Sequence, residues 1–341
     1  MKKQFYIMFA VIMITAFTTQ AARIRVNNQG LGAPHTTINA AINAAASGDT
    51  IYVEGSPVNY SGFSCSKRVV IIGPGYFLGN NPQTQANQFN ATVGGSSFYE
   101  GSTGSIVMGI KFSSGNYYTC IDIHDTCITI KRNCFYLSST HSDNQPAIRI
   151  YASKTIIVQN YIERAGNGWA IYTPNSGTIG LIISNNYIAH TSGGTALNNL
   201  SNGSATVTHN VFSGNVYLYN ANVFNNIIKN GNFSSTNSIV SNNIGNGTQF
   251  PLPDNMQNVD MNLVFNLSDP SPDGKYRLID DVSNPAIGYG ALGEDCGMFG
   301  GNNPYKLSGI PPVPAIYYFY APATGSGNSN LPSDIKIKSN N

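Results

Sequence analysis

Asp122, His124 and Arg149 are the side chains whose types and spacing best suit chemistry. A carboxylate or an imidazole can take a proton, and a guanidinium can neutralise a negative substrate group. Lyase chemistry on a uronic acid would need both: a base for the C5 proton and a cation for the carboxylate. Hydrolysis of a glycosidic bond would instead need two carboxylates about 5–9 Å apart, and Asp122 with Asp143 is the pair that offers them. The plainer alternative is a cross-strand Asp–Arg pair beside a His–Tyr contact, each worth ~0.2–1 kcal/mol. The distribution of charge points to the same stretch. Between Ala165 and Pro253 the only charged side chain is Lys229, whereas ten lie between Lys111 and Arg164. His141 falls in that charged interval too.

Positioning comes from a recurring phrase: an aliphatic residue, two variable residues, Asn, one variable residue, then an apolar residue. It runs from Ile130 to Phe135, Ile157 to Ile162, Ile183 to Ile188, Val207 to Phe212, Val223 to Ile228 and Ile239 to Ile244. Its Asn falls at 133, 160, 186, 210, 226 and 242, in steps of 27, 26, 24, 16 and 16 residues. A short phrase at such periods is the signature of a solenoid, with one coil per repeat. Stacked coils lie ~4.8 Å apart, so the repeated Asn should form a column whose side-chain amides bond from coil to coil.

Counting back from that column aligns the candidates. Asp122 precedes Asn133 by 11 residues, and Arg149 precedes Asn160 by 11. In Ile121-Asp122-Ile123-His124 and Ile148-Arg149-Ile150-Tyr151 the Ile residues point inward, which turns the alternate residues outward. Asp122 should therefore stack on Arg149, and His124 on Tyr151. Trp169-Ala170-Ile171-Tyr172 continues the column, with Trp169 and Tyr172 as further ligand contacts. The loop carrying His141 and Asp143 should overhang this face. Tyr161 and Tyr187 each follow a ladder Asn and are expected to face solvent on adjacent coils. There they would offer ring faces to sugars or pack on each other. Arg164 and His190 both lie four residues after a ladder Asn and are expected to be neighbours.

Residues 1–22 read as a secretory signal. Lys2 and Lys3 precede an apolar run from Phe5 to Phe17, and Thr19-Gln20-Ala21 supplies small residues for cleavage. The chain is expected to be exported: extracellular, periplasmic or at the cell surface. Without Lys2 and Lys3, 18 − 2 = 16 basic residues balance 16 acidic ones. No basic stripe is present for nucleic acid, and no later apolar stretch is long enough to span a membrane. Such a neutral, Asn- and Tyr-rich surface suits neutral glycans better than strongly anionic ones. Cys65, Cys120, Cys127, Cys134 and Cys296 include no C-x-x-C, and buried thiols with one disulfide at most are expected. No metal site or cofactor is expected. Asp269, Asp273, Asp280 and Asp281 cluster in a turn-rich stretch that could take Ca²⁺, although a solvated turn is the favoured reading.

The segment "TTINAAINAAASGDTIYVEGSPVNYSG" followed by "VVIIGPGY" resembles the N-terminal cap and first coil of pectin-lyase-like right-handed parallel β-helix proteins. It implies a short amphipathic capping helix and a buried strand at Thr50 to Val53. "NNPYKLSGIPPVPAIYYFYAP" resembles the C-terminal segment of secreted β-helix proteins from Bacteroidota, and should lie along the solenoid or cap it. The resemblance further implies that the strand carrying Asp122 and Arg149 forms the sugar-binding groove of pectate-lyase-like enzymes. Neither the Gly-His-Gly and Arg-Ile-Lys of polygalacturonase-type hydrolases nor the Arg-x-Pro-x-x-Arg of calcium-dependent pectate lyases is present. The expected architecture is an all-β parallel β-helix over 23–300, with a closing coil near 284–301 and a C-terminal capping segment or tail over 301–341. Two functions remain open: a monomeric protein that binds or cleaves a polysaccharide, and a non-catalytic adhesion platform.

Overall fold

Each coil turns its corner within the phrase. Ile157 is the central residue of a strand, Ile156–Val158, with its side chain in the core. Gln159 then takes φ +59°, Asn160 is fully buried, and Tyr161 starts the next strand. The residue before each ladder Asn repeats this left-handed turn, with φ of 54° at Arg132, Asn185, His209 and Asn242, and 59° at Asn225. Asn and His tolerate that conformation; Arg and Gln adopt it less readily and need outside support.

The computed structural model describes residues 21–113, 119–137, 145–174, 177–199, 203–322 and 332–339. It is a right-handed parallel β-helix. Among the described residues, three parallel sheets of ten, eight and eight strands wrap one apolar core. The first sheet runs from Arg23–Val26 to Ile239–Ser241, and the second from Thr92–Val93 to Ile244–Gly245. The third runs from Ser64–Cys65 to Phe233–Thr236. The open N-terminal end is covered by the expected helix, Ile38–Ala44. It is capped by Thr37, whose hydroxyl accepts from the Ala40 amide, and it buries Ile38, Ala41 and Ile42. The expected signal segment lies, up to residue 20, outside the described residues. Among the described residues no helix is long and apolar enough to cross a membrane.

The Asn column is a continuous ladder. Each backbone amide donates to the side-chain oxygen of the next member: Asn133 to Asn160 at 2.9 Å, Asn160 to Asn186 at 2.8 Å and Asn186 to Asn210 at 3.1 Å. Asn210 then donates to Asn226 at 2.9 Å, Asn226 to Asn243 at 3.0 Å and Asn243 to Asn255 at 2.9 Å. The expected member Asn242 is thus replaced by Asn243. Val240 pairs with Val223, so the last coil is one residue longer than the phrase suggested. Gly245 occupies the second apolar slot, opposite Ile228, and the pattern slides by one when an apolar residue is required there.

The expected closing coil at 284–301 is instead part of a strap. It lies along the outside of the coils, anchored by the left-handed corner residues in reverse order. Asn242 donates to the Tyr289 carbonyl at 3.2 Å, and the Ala291 amide donates to Asn225 at 2.7 Å. His209 meets Glu294 at 3.1 Å, and Asn185 donates to Gly300 at 2.8 Å. Gln159 donates to Pro304 at 2.6 Å, and Arg132 to Ile310 at 2.9 Å. Those side-chain bonds supply the outside support that the strained corners need. Together with 261–278, the strap buries a second apolar cluster against the outer face of the second sheet. Beyond it, Ala315–Tyr320 and Asp334–Lys338 pair antiparallel.

Candidate functional site

The outer face of the third sheet carries the candidates. Ile121, Ile123, Ile148 and Ile150 are fully buried, and alternation turns Asp122 and Arg149 outward in direct register. Arg149 grips both carboxylate oxygens of Asp122, Nε to Oδ1 at 2.7 Å and Nη2 to Oδ2 at 3.2 Å. Nη2 also donates to Thr119 Oγ1 at 2.9 Å. The hydrogen bond that Arg149 donates to Asp122 raises the Arg149 pKa against the opposing effect of burial.

His124 lies between two rings. Its centroid is 5.1 Å from that of Tyr99 and 4.5 Å from that of Tyr151, with planes 12° apart in both cases. Tyr172 pairs with Arg149 across the strands, and Trp169 stacks on Tyr172 at 4.4 Å. Both ends of Trp169–Tyr172 face outward because Ala170 and Ile171 are both buried between them. These ring faces are covered by one another, so the column presents edges and hydroxyls to solvent rather than open platforms. Beside Asp122 and Arg149 is a depression of ≈ 380 Å³, also lined by Ser97, Thr119 and Gln145. Asp122 is the only carboxylate among its described lining residues.

The expected neighbours Asp122, His124, Arg149, Tyr151, Trp169 and Tyr172 are therefore brought together. Asp143 and His141 lie outside the described residues, and with them the Asp122–Asp143 pair. Tyr161 and Tyr187 are not at this site and do not face solvent. Each is 4% exposed, beneath 261–278 and the strap, with their rings 4.8 Å apart. The Tyr276 hydroxyl donates to that of Tyr187 at 2.6 Å, and Phe77 packs edge-on to Tyr161. Burial raises both phenol pKa values far above the ordinary range. The residue after a ladder Asn does point out of the solenoid, but 261–278 and the strap cover it. Arg164 and His190 are paired neighbours as expected, and both are buried at the end of their strands.

Sequence reasoning missed Ser97, Tyr99, Thr119, Gln145, Asn198 and Tyr217. Ser97 pairs with Asp122 in a coil that has Ile110 where the ladder Asn would be, so there was no Asn to count from. Asn198 and Tyr217 extend the outward column past Tyr172. Tyr217 precedes Asn226 by 226 − 217 = 9 residues, because shorter coils shorten the count.

Three of the clustered Asp residues, Asp269, Asp273 and Asp281, are engaged within the fold. Asp273 is fully buried and accepts from Asn81, Ser271, Tyr305 and the Ser308 amide. Asp269 and Asp281 cap Ser271 and Ser283. Among the described residues no three His, Cys, Asp or Glu side chains gather as a metal set would. Cys65, Cys134 and Cys296 are buried thiols, and burial pushes Cys296 up to about 12. No protein-family model matches the chain, and no curated protein matches it.

Proposed function

We propose that this protein is an exported, monomeric, pectin-lyase-like β-helix that binds a neutral polysaccharide along the outer face of its third sheet without cleaving it. The observation that carries this reading is the open polar column Ser97, Asp122, Arg149, Tyr172, Asn198 and Tyr217, with the depression at its Asp122 end. Parallel strands repeat such groups every ~4.8 Å, a spacing that suits repeated contacts along an extended chain. Binding is favoured over cleavage because Asp122 has both oxygens engaged by Arg149. A base so held would have to break a bidentate ion pair before accepting a proton.

The test is a glycan panel read for binding and for the absorbance near 235 nm that unsaturated uronic products give. We expect binding without an absorbance rise, and Asp122→Ala, Arg149→Ala and Tyr172→Ala should each weaken it. An absorbance rise abolished by Asp122→Ala or His124→Ala would instead establish a lyase. Binding indifferent to all four substitutions would remove the third sheet from the function.

A further inference from the structure

We propose that a second cavity, at the C-terminal end of the strap, binds a phosphomonoester on a sugar-sized organic body. This cavity measures ≈ 590 Å³, within the size range of small-molecule sites. Its charged lining residues, Arg277, Lys306 and Lys338, are all basic, and no acidic residue is among its described lining. In a chain whose charges otherwise nearly balance, a cavity of one sign marks an anionic ligand.

The surroundings add to that charge. Lys131 and buried Arg132 lie nearby, and Arg132 donates to the carbonyl of Ile310, which lines the cavity. Burial, and then the positive charges of Arg132 and Lys306, lower the Lys131 pKa. The nearest buried carboxylate, Asp273, is behind the wall and already accepts from Asn81 and Tyr305, which line the cavity themselves. Those bonds also make the wall rigid before a ligand arrives.

Three cations suit a dianion better than a lone carboxylate, and a phosphomonoester carries about −1.5 to −2 at neutral pH. The Arg277 fork and the two ammonium groups match its oxygens. Phe299 and Tyr305 supply an apolar wall for the body of the ester. This inference is independent of the third-sheet reading, because the two sites share no lining residue.

Titration calorimetry of the full chain with glucose 6-phosphate, glucuronate and inorganic phosphate tests it. We expect glucose 6-phosphate to bind at least about tenfold tighter than either of the others. Arg277→Gln and Lys306→Gln should each weaken it about tenfold, while Lys306→Arg retains it. Lys338→Gln, on an exposed strand, is the variant to use if either of the first two melts early. Three results would overturn the proposal: glucuronate binding as tightly, inorganic phosphate binding as tightly, or an affinity for glucose 6-phosphate unchanged in all the Gln variants.

Discussion

The second and third sheets are built from the same coils, yet their outer faces have opposite fates. On the third, Tyr99 is 45% exposed and stands in an open column with His124 and Tyr151. On the second, Tyr161 and Tyr187 point away from the solenoid just as directly and are 4% exposed. The difference is a non-repeating piece of chain, 256–310, laid across one face and not the other. In a solenoid, "outward" is a property of the coil, but "exposed" is a property of the whole chain. The covered face has accordingly become a second apolar core, while the outer face of the third sheet stays polar.

Substitutions can break that contrast. The largest effect should follow Tyr187→Ala, which empties the covered face and should lower unfolding free energy by ~3–5 kcal/mol in urea titrations. A loss under ~1 kcal/mol would mean that the segment is not packed there. Asn186→Ala should cost about 3 kcal/mol, because it strips the buried Asn160 amide of its acceptor and the Ile157 carbonyl of its side-chain donor.

The two buried histidines sharpen the comparison through pH. Burial, and then the Arg164 charge, lower the His190 pKa below 6.5. Burial lowers that of His209 as well, against the pull of Glu294. Both rings fold neutral, so the unfolded chain takes up protons first as pH falls. Stability should be full above about pH 6.5 and decline below it, with a slope bounded by about 1.4 kcal/mol per pH unit for each ring. Chemical denaturation at pH 7.5 and 5.5 measures this, and His190→Gln should flatten the decline. The smallest change in stability should come from Arg149→Ala on the open face, under ~1 kcal/mol by the same assay. That substitution should nonetheless weaken the proposed glycan binding, separating the face that folds the protein from the face proposed to bind.

What the sequence disclosed followed its periodicity. The pairing of Asp122 with Arg149 was legible because two coils share the same 11-residue count to the ladder. The stacking of His124 on Tyr151 followed from the same alignment. Legibility failed where repetition stopped. Gly245 in an apolar slot displaced the last ladder position by one residue. The burial of Tyr161 and Tyr187 was invisible because the chain that covers them carries no phrase of its own. Its contacts depend instead on the corner residues Arg132, Gln159 and Asn185, which read as variable positions in the repeat.

The reversed order of the strap's anchors has a consequence for assembly. The sequence separation between partners grows steadily, from 47 residues for Asn242–Tyr289, through 66 for Asn225–Ala291 and 115 for Asn185–Gly300, to 178 for Arg132–Ile310. Docked in that order, each contact brings the next pair close, and the loop-closure entropy is met in small increments rather than at once. The strap can thus close like a zip fastener, from the last-made coil back toward the first. Its final tooth brings Tyr305 to Tyr76, beside the first coils.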